Sequence, residues 1–203
     1  MTLFSLYEQK LIRLTDDQGN TFTGVADALP AEYCMHEYGR EEEAIRLGEY
    51  IIYKSQITKV EILPTYEEAV AAIPLGKYRH FKGNEYEVIA IARHSETEEA
   101  LVVYKALYGD GGVWVRPASM WNETVERGGK TYRRFYWLDR IERVEKYEEL
   151  FDEAAATHDP EKLALLDAYY TSGKWREDYE ADERGELPPD LKRGVLSQDA
   201  LYL

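Results

Sequence analysis

The chain has 203 residues, 44% of them hydrophobic, which is typical of a soluble globular protein with one large or two to three small domains. Its formal net charge of −14 disfavours non-specific binding to DNA or RNA, because such binding needs a basic surface. A single cysteine, Cys34, excludes an internal disulfide, and neither a signal peptide nor an apolar run of the ~18 residues that span a bilayer is present, so a cytoplasmic protein is expected.

The first segment, residues 1–64, has the pattern of a small β module. Short runs of β-branched and aromatic residues are separated by turn residues, which is typical of antiparallel strands. The predicted strands are Lys10–Thr15, Thr21–Leu29, Ala44–Leu47, Glu49–Tyr53 and Ile57–Ile62. The polar stretch Pro30–Glu43 is predicted to be irregular. Five strands in about sixty residues predict a small barrel.

The phrases LIRLTDDQGNTFTGVAD and GEYIIYKSQITKVEI resemble the Sm-like fold in their spacing. At the positions where Sm proteins carry RNA-binding motifs, this chain has Ala26–Leu29 and Tyr53–Gln56 instead. The resemblance therefore implies a barrel that oligomerises through its strand edges, and it does not imply an RNA role. Since an exposed edge is a template for pairing, we expect a homo-oligomer.

Residues 65–75 are predicted to form a linker with one short helix, Tyr66–Ile73. Thr65 is a suitable N-cap, and Glu67 and Glu68 in the first turn complement the helix dipole. Pro74 ends the helix.

The third segment, residues 76–138, is again predicted to be a β module. Glycine-containing turns separate strand-like runs after the opening phrase GKYRHF, and Gly-Gly at 128–129 predicts a tight hairpin. The predicted strands are Glu85–Ala92, Leu101–Tyr108, Val113–Pro117, Asn122–Glu126 and Lys130–Tyr136. Short antiparallel strands at this spacing predict a small SH3-like barrel.

The hairpin in this segment suggests a binding site. If Tyr108 lies opposite Val113, then Lys105 lies opposite Arg116 on the face that also carries Trp114. Two like charges directly opposite each other are unfavourable, and an anionic, planar ligand would relieve the repulsion by binding both cations and stacking on the indole. The alternative is that both cations point apart into water and Trp114 covers a neighbouring element.

The charge distribution favours the same segment for an anionic ligand. Residues 76–138 contain ten basic and eight acidic residues, whereas the rest of the chain is acidic. Arg79, Arg93 and His94 also lie there and are further candidates for ligand binding. A metal site and a cofactor are not expected.

The phrases GKYRHFKGNEYEV, ARHSET, VVYKALYGDGG and VWVRP, from about Leu75 to Phe135, closely resemble domain-of-unknown-function family 1653. The resemblance implies a small β domain found in bacteria and their phages. It implies no reaction.

The last segment, residues 139–203, is predicted to be an acidic helical domain. Apolar residues recur at helical spacing, and Asp159-Pro160 and Ser172-Gly173 mark helix boundaries. The predicted helices are Asp139–Thr157, Pro160–Tyr170, Trp175–Arg184 and a short one capped by Ser197. The carboxylates between Glu177 and Glu183 are interpreted as a solvated helix face rather than a cation site. The phrases RIERVEKYEELFDEA and DAYYTSGKWREDYEADERGELP resemble domain-of-unknown-function family 4298.

The sequence thus predicts an α+β protein with two small antiparallel β-barrels, Sm-like and SH3-like, followed by a helical C-terminal domain. The leading hypothesis for its function is non-catalytic binding of a small anionic ligand derived from a nucleotide, such as a cyclic or modified nucleotide that a phage protein would sequester from an immune signalling system. The first alternative is an oligomeric adaptor that docks a protein partner through its acidic tail. The second is an enzyme acting on a nucleotide, although no nucleophile or carboxylate stands at a recognisable spacing from His80 or His94.

Overall fold

The computed structural model describes residues 4–197, which form two compact units. The first unit contains the residues up to Ile73 together with Ala90–Val103 and Val115–Met120. The second contains Pro74–Ile89, Tyr104–Trp114 and the residues from Trp121 onward. Among the described residues, no helix is both long enough and apolar enough to cross a membrane. The four segments proposed from composition stay a prediction.

The first unit is built on an antiparallel sheet whose strands follow each other closely in the chain. In spatial order the sheet runs β4-β3-β2-β1-β5. Its strands are β1 (Leu11–Asp16), β2 (Thr21–Leu29), β3 (Ala44–Leu47), β4 (Tyr50–Tyr53) and β5 (Ile57–Ile62). Each predicted strand of this module is present, with bounds that differ by at most one residue.

The core of this unit is formed by the side chains that point to one face of the sheet, which are every second residue along a strand. Ile12 and Leu14 point to the same face of β1 and are fully buried, as is Ile45 on β3. Each such side chain contributes about 1.5–3 kcal/mol when it is removed from water. The buried face of the sheet therefore fixes the strand register, because a shift by one residue would expose these side chains.

The stretch Pro30–Glu43, predicted to be irregular, instead contains helix α1 (Ala31–Tyr38). Cys34 is its buried residue, and Gly39 ends it in the left-handed conformation with a φ of 70°. The prediction was wrong because a two-turn helix with a single buried residue has almost no hydrophobic periodicity to detect. The predicted linker helix is present as α2 (Tyr66–Ala72), and Thr65 and Glu68 form a reciprocal capping box at its start.

A second sheet has the order β12-β6-β7-β8-β9. A separate hairpin, β10 paired with β11, turns at Gly128 and Gly129, which both have positive φ values. The strands are β6 (Gly76–His80), β7 (Glu85–Arg93), β8 (Ala100–Ala106), β9 (Val113–Pro117), β10 (Thr124–Arg127), β11 (Lys130–Arg133) and β12 (Phe135–Trp137).

The prediction of two barrels is wrong, because neither five-stranded sheet closes on itself. Strands β4 and β5 are the two edges of the first sheet, and β12 and β9 are the edges of the second. Strand count and alternation predict that a sheet forms, but closure also requires a matched tilt and stagger of the edge strands. Those quantities depend on long-range register, which the sequence pattern does not specify.

Aromatic packing forms the core of the second unit's β part. Trp121 is fully buried and stacks on Phe135, with ring centroids 3.9 Å apart and an angle of 6° between the rings. Tyr78 and Tyr104 meet the indole edge-on, at 5.3 Å and 5.2 Å. Such aromatic pairs contribute about 0.5–1.5 kcal/mol each beyond the area they bury.

The C-terminal helices are α3 (Leu138–Thr157), α4 (Pro160–Tyr170) and α5 (Gly173–Glu183). The first two follow the prediction closely. The third begins two residues earlier than predicted, because Ser172 accepts a hydrogen bond from the Trp175 N–H and so caps the helix before Gly173. The short helix predicted after Ser197 lies outside the described residues.

The interpretation of the α5 carboxylates as a solvated face needs one correction. Asp178 is fully buried and accepts two hydrogen bonds from Arg143, at 2.7 Å and 2.5 Å, and a third from the Tyr169 hydroxyl at 2.9 Å. Its neighbours Glu177 and Glu180 are exposed. The prediction failed at this position because the arginines that compensate Asp178, Arg143 and Arg140, lie on α3, far from Asp178 in the sequence.

Candidate functional site

A cleft of about 400 Å³ lies in the second unit. It is bounded by the end of β6 and the following turn, by β11 and β12, and by the segment after α5. Its lining residues are Arg79, His80, Phe81, Gly83, Lys130, Tyr132, Tyr136, Pro188, Pro189 and Asp190. The volume lies within the range of ~300–1,000 Å³ that is usual for small-molecule sites.

Aromatic rings form one wall of this aromatic cleft. The rings of Phe81 and Tyr132 are nearly parallel, with centroids 6.1 Å apart and an angle of 29° between them. The His80 ring lies 4.4 Å from that of Phe81. The hydroxyl of Tyr136 is held in place, because it accepts a hydrogen bond from the Arg133 N–H at 3.0 Å. The wall offers flat apolar surface to a planar group.

The turn after β6 gives this wall its shape. The Gly83 N–H donates to the His80 carbonyl at 2.7 Å, and Gly83 has a φ of 99°, which a residue with a side chain rarely adopts. The His80 Nδ1 accepts a hydrogen bond from the Lys82 N–H at 3.3 Å. In the neutral ring this bond places the proton on Nε2.

Two cationic side chains border the cleft. Arg79 is exposed and forms an ion pair with Glu85, with Nη2 and Oε1 3.2 Å apart. Lys130 is exposed, and no ion pair joins it to another residue between 4 and 197. An exposed pair such as Arg79–Glu85 contributes little to stability, so an anion in the cleft can compete for the guanidinium at small cost.

A second cleft, of about 390 Å³, shares Arg79, Pro188 and Asp190 with the first but is lined mainly by carboxylates. Its other lining residues include Glu145, Glu149 and Asp152 along one face of α3. The surplus of carboxylates makes this acidic cleft unfavourable for an anion. No group of three or more His, Cys, Asp or Glu residues within the described chain is arranged to hold a metal ion.

The hairpin predicted to bind the ligand has a different register from the one assumed. The Ala106 N–H donates to the Gly112 carbonyl at 3.0 Å, which places Ala106 opposite Gly112 and Lys105 opposite Val113. The register predicted from the sequence, with Tyr108 opposite Val113, is therefore wrong. The predicted register is wrong because the turn is wider than was assumed. It includes Leu107 and Tyr108 as well as Gly109, Asp110 and Gly111.

This register removes the cation that was predicted opposite Lys105. Lys105 is exposed, and Trp114 keeps 60% of its surface accessible. Arg116 is partly buried and belongs to the portion of β9 assigned to the first unit. That these three residues bind a ligand stays a prediction, but the repulsion that motivated it is absent at Lys105.

Arg93 and His94, both in the first unit, have local structural roles. Arg93 forms an ion pair with Glu67 at 2.7 Å, and its guanidinium lies 4.6 Å from the centroid of the Tyr66 ring. The His94 Nδ1 accepts hydrogen bonds from the backbone N–H groups of Glu96 and Thr97, each at 3.3 Å, and so stabilises the turn before β8. Their predicted role in ligand binding is not tested by these contacts.

Of the six residues proposed from the sequence, Arg79 alone lines the aromatic cleft. Sequence reasoning missed Lys130, Tyr132 and Phe81. The Gly-Gly turn before Lys130 predicted the hairpin correctly, but nothing in the local pattern indicated that this hairpin would face the turn after β6.

Two family models match the chain. Residues 76–137 match the family described as a protein of unknown function, DUF1653, and residues 137–203 match the domain of unknown function DUF4298. Both resemblances inferred from the sequence are confirmed. A crystal structure of a DUF1653 protein from Bordetella bronchiseptica is 40% identical over 32% of this chain and 86% of that chain, with a TM-score of 0.30. No protein with a curated description matches the chain.

Proposed function

We propose that this chain, whose residues 76–137 match the DUF1653 model and whose residues 137–203 match the DUF4298 model, is a non-catalytic protein. It would bind a small planar anion of the nucleotide type in its aromatic cleft. The observation that carries the proposal is the presence of Arg79 and Lys130 around the Phe81–Tyr132 wall in one cleft.

The chemistry of each part matches one part of a nucleotide. The guanidinium of Arg79 and the ammonium of Lys130 are donors for phosphate oxygens, and bonds to ionised groups are about twice as strong as neutral ones. The rings of Phe81 and Tyr132 offer a stacking surface, which is worth ~1–3 kcal/mol per base. Asp190 also lines the cleft, and its carboxylate favours a ligand that carries hydrogen-bond donors, as nucleobases do.

A thermal-shift screen tests the proposal. The probes are nucleoside monophosphates, dinucleotides and cyclic dinucleotides, and a ligand that binds the folded state raises the melting temperature by mass action. Arg79→Ala and Lys130→Ala are each expected to weaken binding roughly ten- to a hundredfold, which corresponds to the ~1.5–3 kcal/mol of a hydrogen bond to a charged group.

Lys77→Ala is the matched control. Lys77 is an exposed cation on β6, two residues before Arg79, and it is not among the residues that line the cleft. It should leave the shift unchanged. A panel without any shift, or a shift that Arg79→Ala and Lys130→Ala both leave intact, contradicts the proposed site.

The biological use follows from which probe binds. A cyclic dinucleotide as the strongest ligand would support sequestration of an immune signal, whereas a common mononucleotide would argue for an ordinary metabolite. Turnover of any probe would instead favour the enzyme alternative. We also propose a cytoplasmic location, because Cys34 is a buried free thiol, as is usual in a reducing compartment.

An oligomeric assembly role is the second candidate function. It is supported by β9, an edge strand that exposes three consecutive apolar residues. We further propose that the first sheet is an open version of the Sm-like fold and the second an open version of the SH3-like fold. The number and order of the strands in each sheet support this proposal.

A further inference from the structure

Strand β9 is an unusual edge. It is the last strand of its sheet, and Val113, Trp114 and Val115 remain 59%, 60% and 62% exposed. Natural proteins normally protect such an edge with charges, a bulge or a covering segment, because unpaired N–H and C=O groups are a template for another strand. A run of three exposed apolar residues on an open edge therefore indicates a surface that pairs with another strand.

The backbone of β9 has a defined orientation. The Gly112 carbonyl accepts a hydrogen bond from the Ala106 N–H, so the backbone N–H and C=O of Gly112 point toward β8. Along a strand, the N–H and C=O groups of successive residues point to the left and to the right in turn. Those of Val113 and Val115 therefore point away from β8, to the open edge. Pro117 has no N–H and ends the run of donors.

We propose that β9 pairs with β9 of a second copy of this chain, antiparallel and about a two-fold axis at Trp114. Val113 of each copy then lies opposite Val115 of the other. Each of these two pairs exchanges both of its N–H···O=C bonds, which uses all the outward donors of Val113 and Val115. The two Trp114 residues form a pair without backbone hydrogen bonds, in which side chains approach most closely.

The charges near the edge are self-complementary in this register. Arg116 of one copy lies opposite Gly112 of the other, beside the Trp114 indole of that other copy, whose Nε1 lies 3.2 Å from the point that a Gly112 Cβ would occupy. The Asp110 Oδ1 lies 3.7 Å from the point that a Gly112 Cβ would occupy, so the guanidinium arrives beside a carboxylate. A guanidinium has five N–H donors and can make this contact in addition to others within its own chain. The symmetry produces the ion pair twice.

This complementarity identifies the occupant as a second copy. The chain as a whole has a net charge of −14, which opposes association in general. Residues 110–117, however, contain one carboxylate and one guanidinium, placed so that each meets its opposite in the antiparallel pair. The proposal is independent of the aromatic cleft, because neither Arg79 nor Lys130 lies on β9.

Charge exchange on the full-length chain, measured by sedimentation equilibrium, tests the proposal. The unmodified chain is expected to sediment as a dimer. Arg116→Glu sets two carboxylates together, and Asp110→Arg sets two guanidinium groups together, so each is expected to weaken the dimer about tenfold or more. The double variant D110R/R116E exchanges the charges and should restore the dimer.

Glu126→Arg, an equal charge change on exposed β10, is the control and should not affect the dimer. Circular dichroism of each variant checks the fold, and recovery of the dimer in the double variant would itself show that the single variants had not failed to fold. A chain that stays monomeric at all concentrations overturns the proposal. A dimer that is insensitive to both single variants, or a double variant as weak as the single ones, overturns it as well.

Discussion

At the scale of single residues, the buried carboxylate of Asp178 is the most consequential feature of the helical part. It has no access to solvent and is compensated by the bidentate guanidinium of Arg143 and by the hydroxyl of Tyr169. Hydrogen bonding to Asp178 raises the pKa of Arg143. Burial, followed by the charge and hydrogen bond of Asp178, raises the pKa of Tyr169. The group works as a unit that links α3, α4 and α5.

Asp178→Asn is therefore expected to be strongly destabilising. The amide cannot neutralise Arg143, and breaking a buried pair by removing one partner costs about 3–5 kcal/mol in the free energy of unfolding. Urea unfolding checks the value. Glu177→Gln, at the neighbouring exposed position with a surface partner in Lys174, should cost less than about 1 kcal/mol. Equal effects for the two variants would mean that Asp178 behaves as a surface carboxylate.

At the scale of elements, the second sheet concentrates tyrosines whose ionisation opposes folding. Burial, and then a hydrogen bond with Tyr108, raises the pKa of Tyr86 to about 12, and the two hydroxyl oxygens are 2.7 Å apart. Burial also raises the pKa of Tyr78. The folded state therefore retains protons that the unfolded chain releases near pH 10.

The consequence is a loss of stability in alkali. Because the pKa of Tyr86 is higher in the folded state, its contribution is complete below pH 10 and is lost as the pH rises through about 12. The free energy of unfolding in urea should decline across this window, and absorbance at 295 nm should show part of the tyrosines ionising only as the protein unfolds. Complete ionisation near pH 10 without unfolding would contradict this account.

Elements were more predictable from the sequence than the relations between them. The strands Thr21–Leu29 and Val113–Pro117 have the predicted bounds, because turn residues and β-branched runs determine local structure. The register of β8 with β9 was missed by three residues, because it depends on how wide a turn Gly109 and Gly111 make. Helix α1 was missed because it buries little more than Cys34.

The candidate site was only partly predicted, because it too depends on contacts between distant elements. The sequence placed an anion site in residues 76–138 from their charge, and Arg79 from that reasoning lines the aromatic cleft. Tyr132 and the segment Pro188–Asp190 reach the same cleft only through long-range packing. A pattern read within about ten residues carries no information on which distant elements meet.

At the scale of the whole molecule, two separate surfaces are proposed to have different roles. The aromatic cleft is proposed to hold an anion, and the β9 edge is proposed to join two copies. Trp114 and Arg116, predicted from the sequence to bind the ligand, belong instead to the proposed dimer surface. A nucleotide should therefore bind without the variants of the dimer surface affecting its affinity.

The central claim is the location of the anion site, and amide chemical shifts of the ¹⁵N-labelled full-length protein test it most directly. The probe is AMP, with cyclic di-AMP in a parallel titration. The largest changes are expected at Gly83, Lys130 and Tyr132, and they should saturate with the ligand concentration. Changes centred on residues 105–116, or none that saturate for either probe, would contradict it.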